Sequence, residues 1–565
     1  MPFYLPVVFF LIAFLESLLV GGLALWGICR LLKVPSVSAR RALGVNLASI
    51  ALSFACQMAV LLFALSAEWA AKGASASPFV VSLALLAVGF GGLAAYVAAQ
   101  VVLFSKLLPA PKLKAFVAWF AVNIPVVTLN LGLAFVAKAT LLEAFVVPTG
   151  AMAPTILGAH ADRVCSHCGY SFAVSLSKRI RPESVDPAFW EPPLESTPAS
   201  CPNCRHADAV GPEAPLVRGD RIIVDKQAPP KRWEIVLYRY PEDRRITFVK
   251  RLVGLPNETV EIVAGDVFID GMRLQKPPHA AQDLWLHVHD TAFHPKTPLP
   301  DDPGWRPRGE GSTWQERNGV WTGGDEETGE QALDYFGPIT DFQSYNGADL
   351  HFGIDDAEQQ VGDVLAACDV ESLAGSGRFG MHWQFRQEAV ELYISAGGEV
   401  EIQVNPQDVG AEHARDRLSG SLPAPLQAGD RIGFAVRDGQ AYVVQNNRVA
   451  LLLPFGPQDV ETAKRVSRDA AEPCRLALIA HRCRVSLSRI VLVRDVYYMG
   501  GDDDYFPLRG ARNQPLKLGE TEYFVLGDNS TLSKDSRFYG DLQDADLIGA
   551  ARWIYWPWKR WHAFQ

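Results

Sequence analysis

At 565 residues, 49 % hydrophobic and 20 % charged, the chain is too long for one compact domain and too apolar for a disordered one. Its net charge of −9 is unevenly spread: residues 1–148 hold nine Lys/Arg against three Asp/Glu, which leaves 44 basic and 59 acidic residues elsewhere. That acidic remainder excludes a nucleic-acid-binding body, whose phosphate contacts need clustered Lys and Arg, and nine cysteines in so long a chain exclude a disulfide-dense scaffold.

Four apolar stretches open the chain, about Tyr4–Leu32, Leu43–Leu65, Phe79–Leu103 and Ala115–Val136. Each reaches the roughly 20 residues with which a helix crosses a hydrocarbon core of about 30 Å, so residues 1–137 are expected to form four transmembrane helices. The first stretch lacks a basic leader and exceeds the roughly 7–15 apolar residues of a cleaved signal, which predicts that it is retained. Arg30, Lys33, Arg40 and Arg41 follow the first stretch and Lys106, Lys112 and Lys114 the third, while the second loop holds only Lys72. Positive-inside orientation then puts loops one and three in the cytoplasm and everything after Val136 outside. Glu16, Asn46 and Asn123 fall within the stretches and are expected to bond between neighbouring helices, a polar pathway being the alternative.

Next in the chain stands Glu143-Ala-Phe-Val-Val-Pro-Thr-Gly-Ala-Met-Ala-Pro-Thr-Ile156. Cys165-Ser-His-Cys168 and Cys201-Pro-Asn-Cys204 follow, a CxxC pair of the spacing that clamps a tetrahedral Zn²⁺ through four thiolates. Gly169 permits the tight turn after the first pair, and a zinc ribbon over 163–206 is expected, with two disulfides as the alternative. Arg218-Gly-Asp-Arg-Ile-Ile-Val-Asp-Lys226 and Thr247-Phe-Val-Lys-Arg-Leu-Val-Gly-Leu-Pro256 come next. In the latter, Phe248, Val249, Leu252 and Val253 surround Lys250 in a strand-like apolar run.

Residues 275–489 alternate in the manner of half-buried strands, as in Val390–Ile394, Val400–Val404 and Ile432–Val436, and Asp438-Gly marks a hairpin. A β-sandwich loosely like laminin-G or concanavalin folds is expected there. If exposed, Trp305, Trp314 and Trp321 would stack on a sugar ring; the plainer reading packs them at the sandwich edge. His279–Pro303, rich in Pro, His and Asp, reads as a docking linker. Cys29, Cys56, Cys368, Cys474 and Cys483 are scattered and read as buried small hydrophobes, with Cys474–Cys483 a candidate disulfide. Gly527-Asp-Asn-Ser-Thr-Leu-Ser-Lys-Asp-Ser-Arg537 begins as a turn. There is no phosphate-cradling loop and no sign of an organic cofactor.

The blocks at 143–156, 218–226, 247–256 and 527–537, taken in this order, resemble the type I signal peptidase family. The resemblance covers roughly 140–270 and 490–560. It implies a serine hydroxyl that attacks a peptide carbonyl and a neutral lysine that takes its proton. Lys250 matches the general base, which must be desolvated because a free lysine titrates near 10.4. Arg251 matches the family's basic companion, or is an ordinary ion-pair partner. The nucleophile position, serine in the family, is here Ala151, whose methyl group cannot attack. Thr149 matches an oxyanion-binding hydroxyl, with substitution as the nucleophile the sharper alternative; Ser533 would orient Lys250, and Asp528, Asp535 and Arg537 would form a buried ionic scaffold.

The expected whole is a multi-domain protein of the cytoplasmic membrane: a multi-pass region over 1–137, then a mostly β signal-peptidase-like domain in two parts, 138–274 and 490–565. The zinc ribbon and, at 275–489, the β-sandwich are inserted into it on the extracytoplasmic side. By resemblance it cleaves signal peptides from exported precursors. Loss of the nucleophile raises an alternative, a disarmed membrane-anchored protein that binds signal peptides or surface glycans. Expected partners are signal peptides, the lipid bilayer and a glycan or protein ligand of the sandwich, with no nucleic acid.

Overall fold

The computed structural model describes residues 4–34, 37–55, 96–108, 110–175, 197–210, 217–278, 282–295, 297–327, 329–346, 359–406, 416–467, 472–500 and 508–564. They divide into two compact units, Met1–Leu142 and Glu143–Gln565.

The first unit is helical, with helices Tyr4–Leu31 and Lys112–Thr140 and helical residues 39–55 and 96–107. The expected four transmembrane helices are overturned: among the described residues, no helix is long and apolar enough to cross a membrane. Hydropathy registers apolar content, which helices packed on one another carry as well. The multi-pass topology and the charge-based orientation fall with the spans. Lys72, Cys56 and most of the Phe79–Leu103 stretch lie outside the described residues. Within the unit, Asn46 donates to the carbonyls of Ser17 and Leu18 at 2.9 and 3.1 Å, so it bridges helices. Asn123 donates to Trp119 of its own helix. Buried Gln100 is bonded to Ser49 and Ser53. Leu25, Val45, Phe104 and Ala118 belong to the apolar core beside these groups.

The second unit is mostly β. One eight-stranded sheet runs in the order Leu142–Val146, Arg221–Asp225, Leu547–Trp556, Ile235–Tyr240, Asp243–Gly254, Glu522–Leu526, Leu542–Gln543, with His562–Ala563 added to Leu547–Trp556. A smaller sheet joins Thr259–Val263, Asp266–Ile269, Met272–Arg273 and Leu516–Lys517. Strands distant in sequence are thus neighbours: Glu522–Leu526 pairs with Asp243–Gly254.

Between the two parts of this body stand an eight-stranded and a seven-stranded antiparallel sheet. Val364–Ala374 and Arg484–Arg494 are central to the first, Arg378–Phe385 and Arg475–His481 to the second. Alternate residues of both meet in one core that holds Phe379, Met381, Phe434, Leu487 and Leu492. Trp305, Trp314 and Trp321 belong to that core and are at most 8 % exposed, as large aromatic side chains that bury much apolar area tend to be, which removes the stacking platform for a sugar. The docking linker is also corrected, because Leu286–Asp290 is a strand paired with Arg484–Arg494. Cys474 and Cys483 are buried and free, so they form no disulfide. Cys29 and Cys368 are likewise buried and free.

Two hairpins precede the sandwich, His160–Val164 with Ser171–Ser175 and Thr197–Ser200 with Ala207–Val210. Each carries one CxxC at its turn. Gly169 and Arg205, the residues after each pair, both take positive φ, 79° and 59°.

Candidate active site

Lys250 and Arg251 lie in the strand Asp243–Gly254, where consecutive side chains point to opposite faces. This strand is central: Lys250 is opposite Val236 on one neighbour, and Arg251 is opposite Leu526 on the other. Both are buried, at 4 % and 2 % exposure. Arg251 is fully partnered. Its fork meets Asp528 at 2.8 and 2.6 Å, and its remaining nitrogen donates to the Trp233 carbonyl at 2.7 Å. Lys250 differs, since among the described residues no carboxylate ion-pairs with it. Burial pushes its amine down to about 8, with Arg537 acting in the same direction and Asp535 and Asp528 opposing. Roughly a tenth of such an amine is neutral at pH 7, far more than of a solvated lysine.

Ala151 sits in a turn closed by Ala153 N–H donating to the Gly150 carbonyl at 3.0 Å. Its own carbonyl accepts from the Asn529 N–H at 3.1 Å, and among the described residues its N–H has no acceptor. Gly527 shows how close the opposing loop comes. A Cβ there would lie 2.1 Å from Ser533 Oγ and 2.6 Å from the Ala151 carbonyl oxygen, so only glycine lets Ser533 and Ala151 converge. Among the described residues the buried Ser533 hydroxyl has no hydrogen-bond partner, so the expected bond that would orient Lys250 is not made. Thr149 is half-buried, and its hydroxyl has no partner among the described residues.

Asp528, Asp535 and Arg537 are completely buried. Arg537 grips Asp535 with two bonds of 2.8 Å and donates further to Met499 O, Ser530 Oγ and Ser530 O. Asp535 also accepts from the Gly527 N–H at 2.9 Å, and Thr155 donates to Asp528 at 2.7 Å. Two arginine–carboxylate forks, geometrically the strongest kind of ion pair, therefore fix both ends of the loop that carries Ser533. Residues of the first and fourth sequence blocks, Ala151 and Ser533, converge around Gly527, and the charges of the three scaffold residues act on the Lys250 amine of the third.

Two residues at this place carried no sequence signal, Tyr345 and Asn346. A Cβ on Gly150 would lie 2.0 Å from the Tyr345 ring, and the Tyr345 hydroxyl donates to the Ala159 carbonyl at 3.1 Å. Asn346 donates to Asn529 and Thr531, and Asn529 in turn donates to the Gly150 carbonyl at 2.9 Å. Nothing local could have found Tyr345, which is 186 residues from its partner. Asn529 stands inside the fourth block, so its amide was the one available hint.

The arrangement offers a neutralisable base, a free N–H able to meet a developing oxyanion, and no attacking oxygen at residue 151. Elsewhere, Cys165, Cys168, Cys201 and Cys204 bring their sulfur atoms within 4.8 Å of one another, and all four thiols are buried and free. A cavity of about 60 Å³ lies apart from these groups, lined by Asp266, Asp363, Arg273, Trp383 and Glu388. Asp266 and Asp438 of its acidic cluster are paired with Arg273 and Lys276.

The profile of the family described as signal peptidase, peptidase S26, matches residues 205–297 and 496–556. These ranges contain Lys250 and the Ser533 loop, not residue 151. The probable signal peptidase I-2 of Synechocystis sp. is 28 % identical over 148 residues, 26 % of this chain and 63 % of that protein. Signal peptidase I of Rickettsia typhi is 25 % identical over 144 residues, 26 % of this chain and 41 % of that protein. The chain thus spans less than two thirds of the length of either relative. A solved carbohydrate-binding module from Bacillus subtilis aligns with 33 % of this chain and 94 % of the module, at 11 % identity and a TM-score of 0.21; at that score the likeness decides nothing. Over the matched residues, which carry Lys250 and the Ser533 loop, the chain is similar to the type I signal peptidase family.

Proposed function

We propose that the second unit is a signal-peptidase-type site that receives the cleavage region of exported precursors as an extended peptide, with Lys250 as its general base. The observation that carries this reading is the lysine amine, buried, free of carboxylate partners and held down to about 8. A lysine buried for structure alone would be ion-paired. The relatives named signal peptidase support the substrate class. Such segments emerge at the outer face of the exporting membrane, where the site is proposed to work.

In this chemistry the base removes a proton from an attacking hydroxyl as the oxygen bonds to the peptide carbonyl. With a methyl group at residue 151 no acyl bond forms there, so the chain as it stands holds its peptide uncut. The test is cleavage of a model secretory precursor by the purified full chain, with products read by mass spectrometry. Expected are no turnover by the unaltered sequence, turnover by Ala151→Ser, and its loss when Lys250→Ala is added. Turnover by the unaltered chain that disappears with Thr149→Val would instead name Thr149 as nucleophile, and turnover indifferent to Lys250→Ala would remove the base assignment.

A further inference from the structure

The four knuckle cysteines are unused by the peptidase chemistry, and their geometry separates the two fates open to them. Cys165 and Cys204 sulfurs are 3.6 Å apart, as are those of Cys168 and Cys201. A disulfide needs about 2.0 Å, whereas four thiolates on a tetrahedral zinc with bonds of about 2.3 Å stand roughly 3.8 Å from one another. The close pairs also run between the two hairpins, one cysteine from each CxxC, as a shared central ion requires. Asn203 holds the second knuckle from behind. Completely buried, it accepts at Oδ1 from the Asp290 N–H at 2.6 Å and from His287 Nε2 at 2.9 Å, and its carbonyl accepts from His289 Nδ1 at 3.1 Å. All three partners lie in the sandwich strand Leu286–Asp290, and Tyr170 of the first knuckle stacks on His287 at 4.2 Å.

From this cluster a continuous set of contacts leads to the candidate active site. Arg205, adjacent to Cys204, donates to Thr340 Oγ1 at 3.1 Å, and its guanidinium stacks 3.8 Å above the Phe342 ring. Arg494 holds the Phe342 carbonyl at 2.9 Å. Three residues further on, Tyr345 and Asn346 press against Gly150 and bond to Asn529, the partner of both Gly150 and Ala151.

We infer that Cys165, Cys168, Cys201 and Cys204 hold one structural zinc ion, and that the knuckle it closes fixes the strap 340–346 behind the Gly150–Ala151 turn. The ion sets the shape of the second knuckle, that shape aims Arg205, and Arg205 holds the strap. The metal half stands independently of the peptide-processing reading, and the strap half concerns the geometry of the same turn whether or not it cleaves.

The test uses the full chain, purified with reductant and without chelator. Elemental analysis is expected to give one zinc per chain. Exchange into cobalt is expected to give thiolate-to-cobalt charge transfer together with the visible bands of a tetrahedral ion. Cys204→Ser should abolish both. Because that variant can also fail to fold, a chelator is titrated into the unaltered chain, where loss of the metal should expose the four thiols in step. Hydrogen exchange at the Asp341 and Asn346 amides, both bonded within or beside the strap, should then quicken about tenfold, and Arg205→Ala should quicken it with the metal retained. A metal-free chain with disulfides by mass overturns the ion. Unchanged exchange after chelation overturns the coupling. Neither readout depends on turnover.

Discussion

Two lysines of the second unit are equally buried, 4 % for Lys250 and 3 % for Lys276, and burial has opposite consequences for them. Lys276 lies where the smaller sheet of the peptidase-like body meets the sandwich, with Asp438 at 2.5 Å and Asp495 at 2.7 Å. Burial works against its charge, but those two carboxylates outweigh it and the amine titrates above its ordinary value. Lys250 lies in the active-site sheet with Asp528 and Asp535 nearby, yet each is already claimed by an arginine. Their charges are spent locally, desolvation wins, and the amine is pushed down to about 8. Burial alone therefore says nothing about a lysine's role. What matters is whether neighbouring carboxylates are free to answer it.

The largest expected effect is at the junction. Lys276→Met takes from Asp438 and Asp495 the cation they share at 2.5 and 2.7 Å, and removing one partner of a buried ionic group costs about 3 to 5 kcal/mol, which urea unfolding at pH 7 would register. Because the amine of Lys276 is held up on folding, its contribution is complete below the ordinary lysine value of 10.5 and is lost as pH rises through the elevated folded value.

Lys250→Met should move stability the other way. A lysine lowered from 10.5 to about 8 costs about 3 kcal/mol of folding free energy while charged. Between those two values the unfolded chain binds more protons than the folded one, so the unaltered protein gains stability with rising pH. The advantage of Lys250→Met is thus greatest below about pH 8 and gone above 10.5, and urea titrations at pH 7 and pH 10 would show it shrinking. If both methionine variants destabilise, the contrast between the two lysines is false.

A smaller effect sharpens the same picture at the loop. Gly527→Ala should cost about 1 to 3 kcal/mol by overpacking, because its methyl group would meet Ser533 Oγ and the Ala151 carbonyl. In an Ala151→Ser background it should also lower turnover, since that methyl group pushes apart the two loops the chemistry must bring together. A thermal melt near that of the unaltered protein would show that the loops do not converge there.

Periodicity and turn chemistry made much of the β architecture readable. Val390–Ile394, Val400–Val404 and Ile432–Val436 all fall inside observed strands, and Asp438-Gly439 forms a hairpin turn with φ of 48° and 67°, as two positive φ values require. The same reading failed where it relied on composition alone. Apolar length predicted spans that the described helices do not form, whereas the packing reading of Trp305, Trp314 and Trp321 agrees with the core they belong to. A Pro-, His- and Asp-rich stretch concealed the strand Leu286–Asp290, although Leu286 and Val288 alternate with His287 and His289, because the composition around so short a run reads as loop.

By itself the sequence determined which residue types stand at the site and in what local setting: Lys250 in an apolar strand, a methyl group at Ala151, serine and carboxylates in the loop 527–537, and paired cysteines at two turns. These are properties of neighbours along the chain, which spacing and side-chain chemistry reveal. Only the tertiary structure decided that Asp528 is claimed by Arg251 and Asp535 by Arg537, leaving Lys250 unanswered. Only it set Tyr345 against Gly150 and drew four sulfurs within 4.8 Å. Such outcomes depend on strand pairing across hundreds of residues, and at these distances a few ångströms decide whether a buried charge is paired or left to lose its proton.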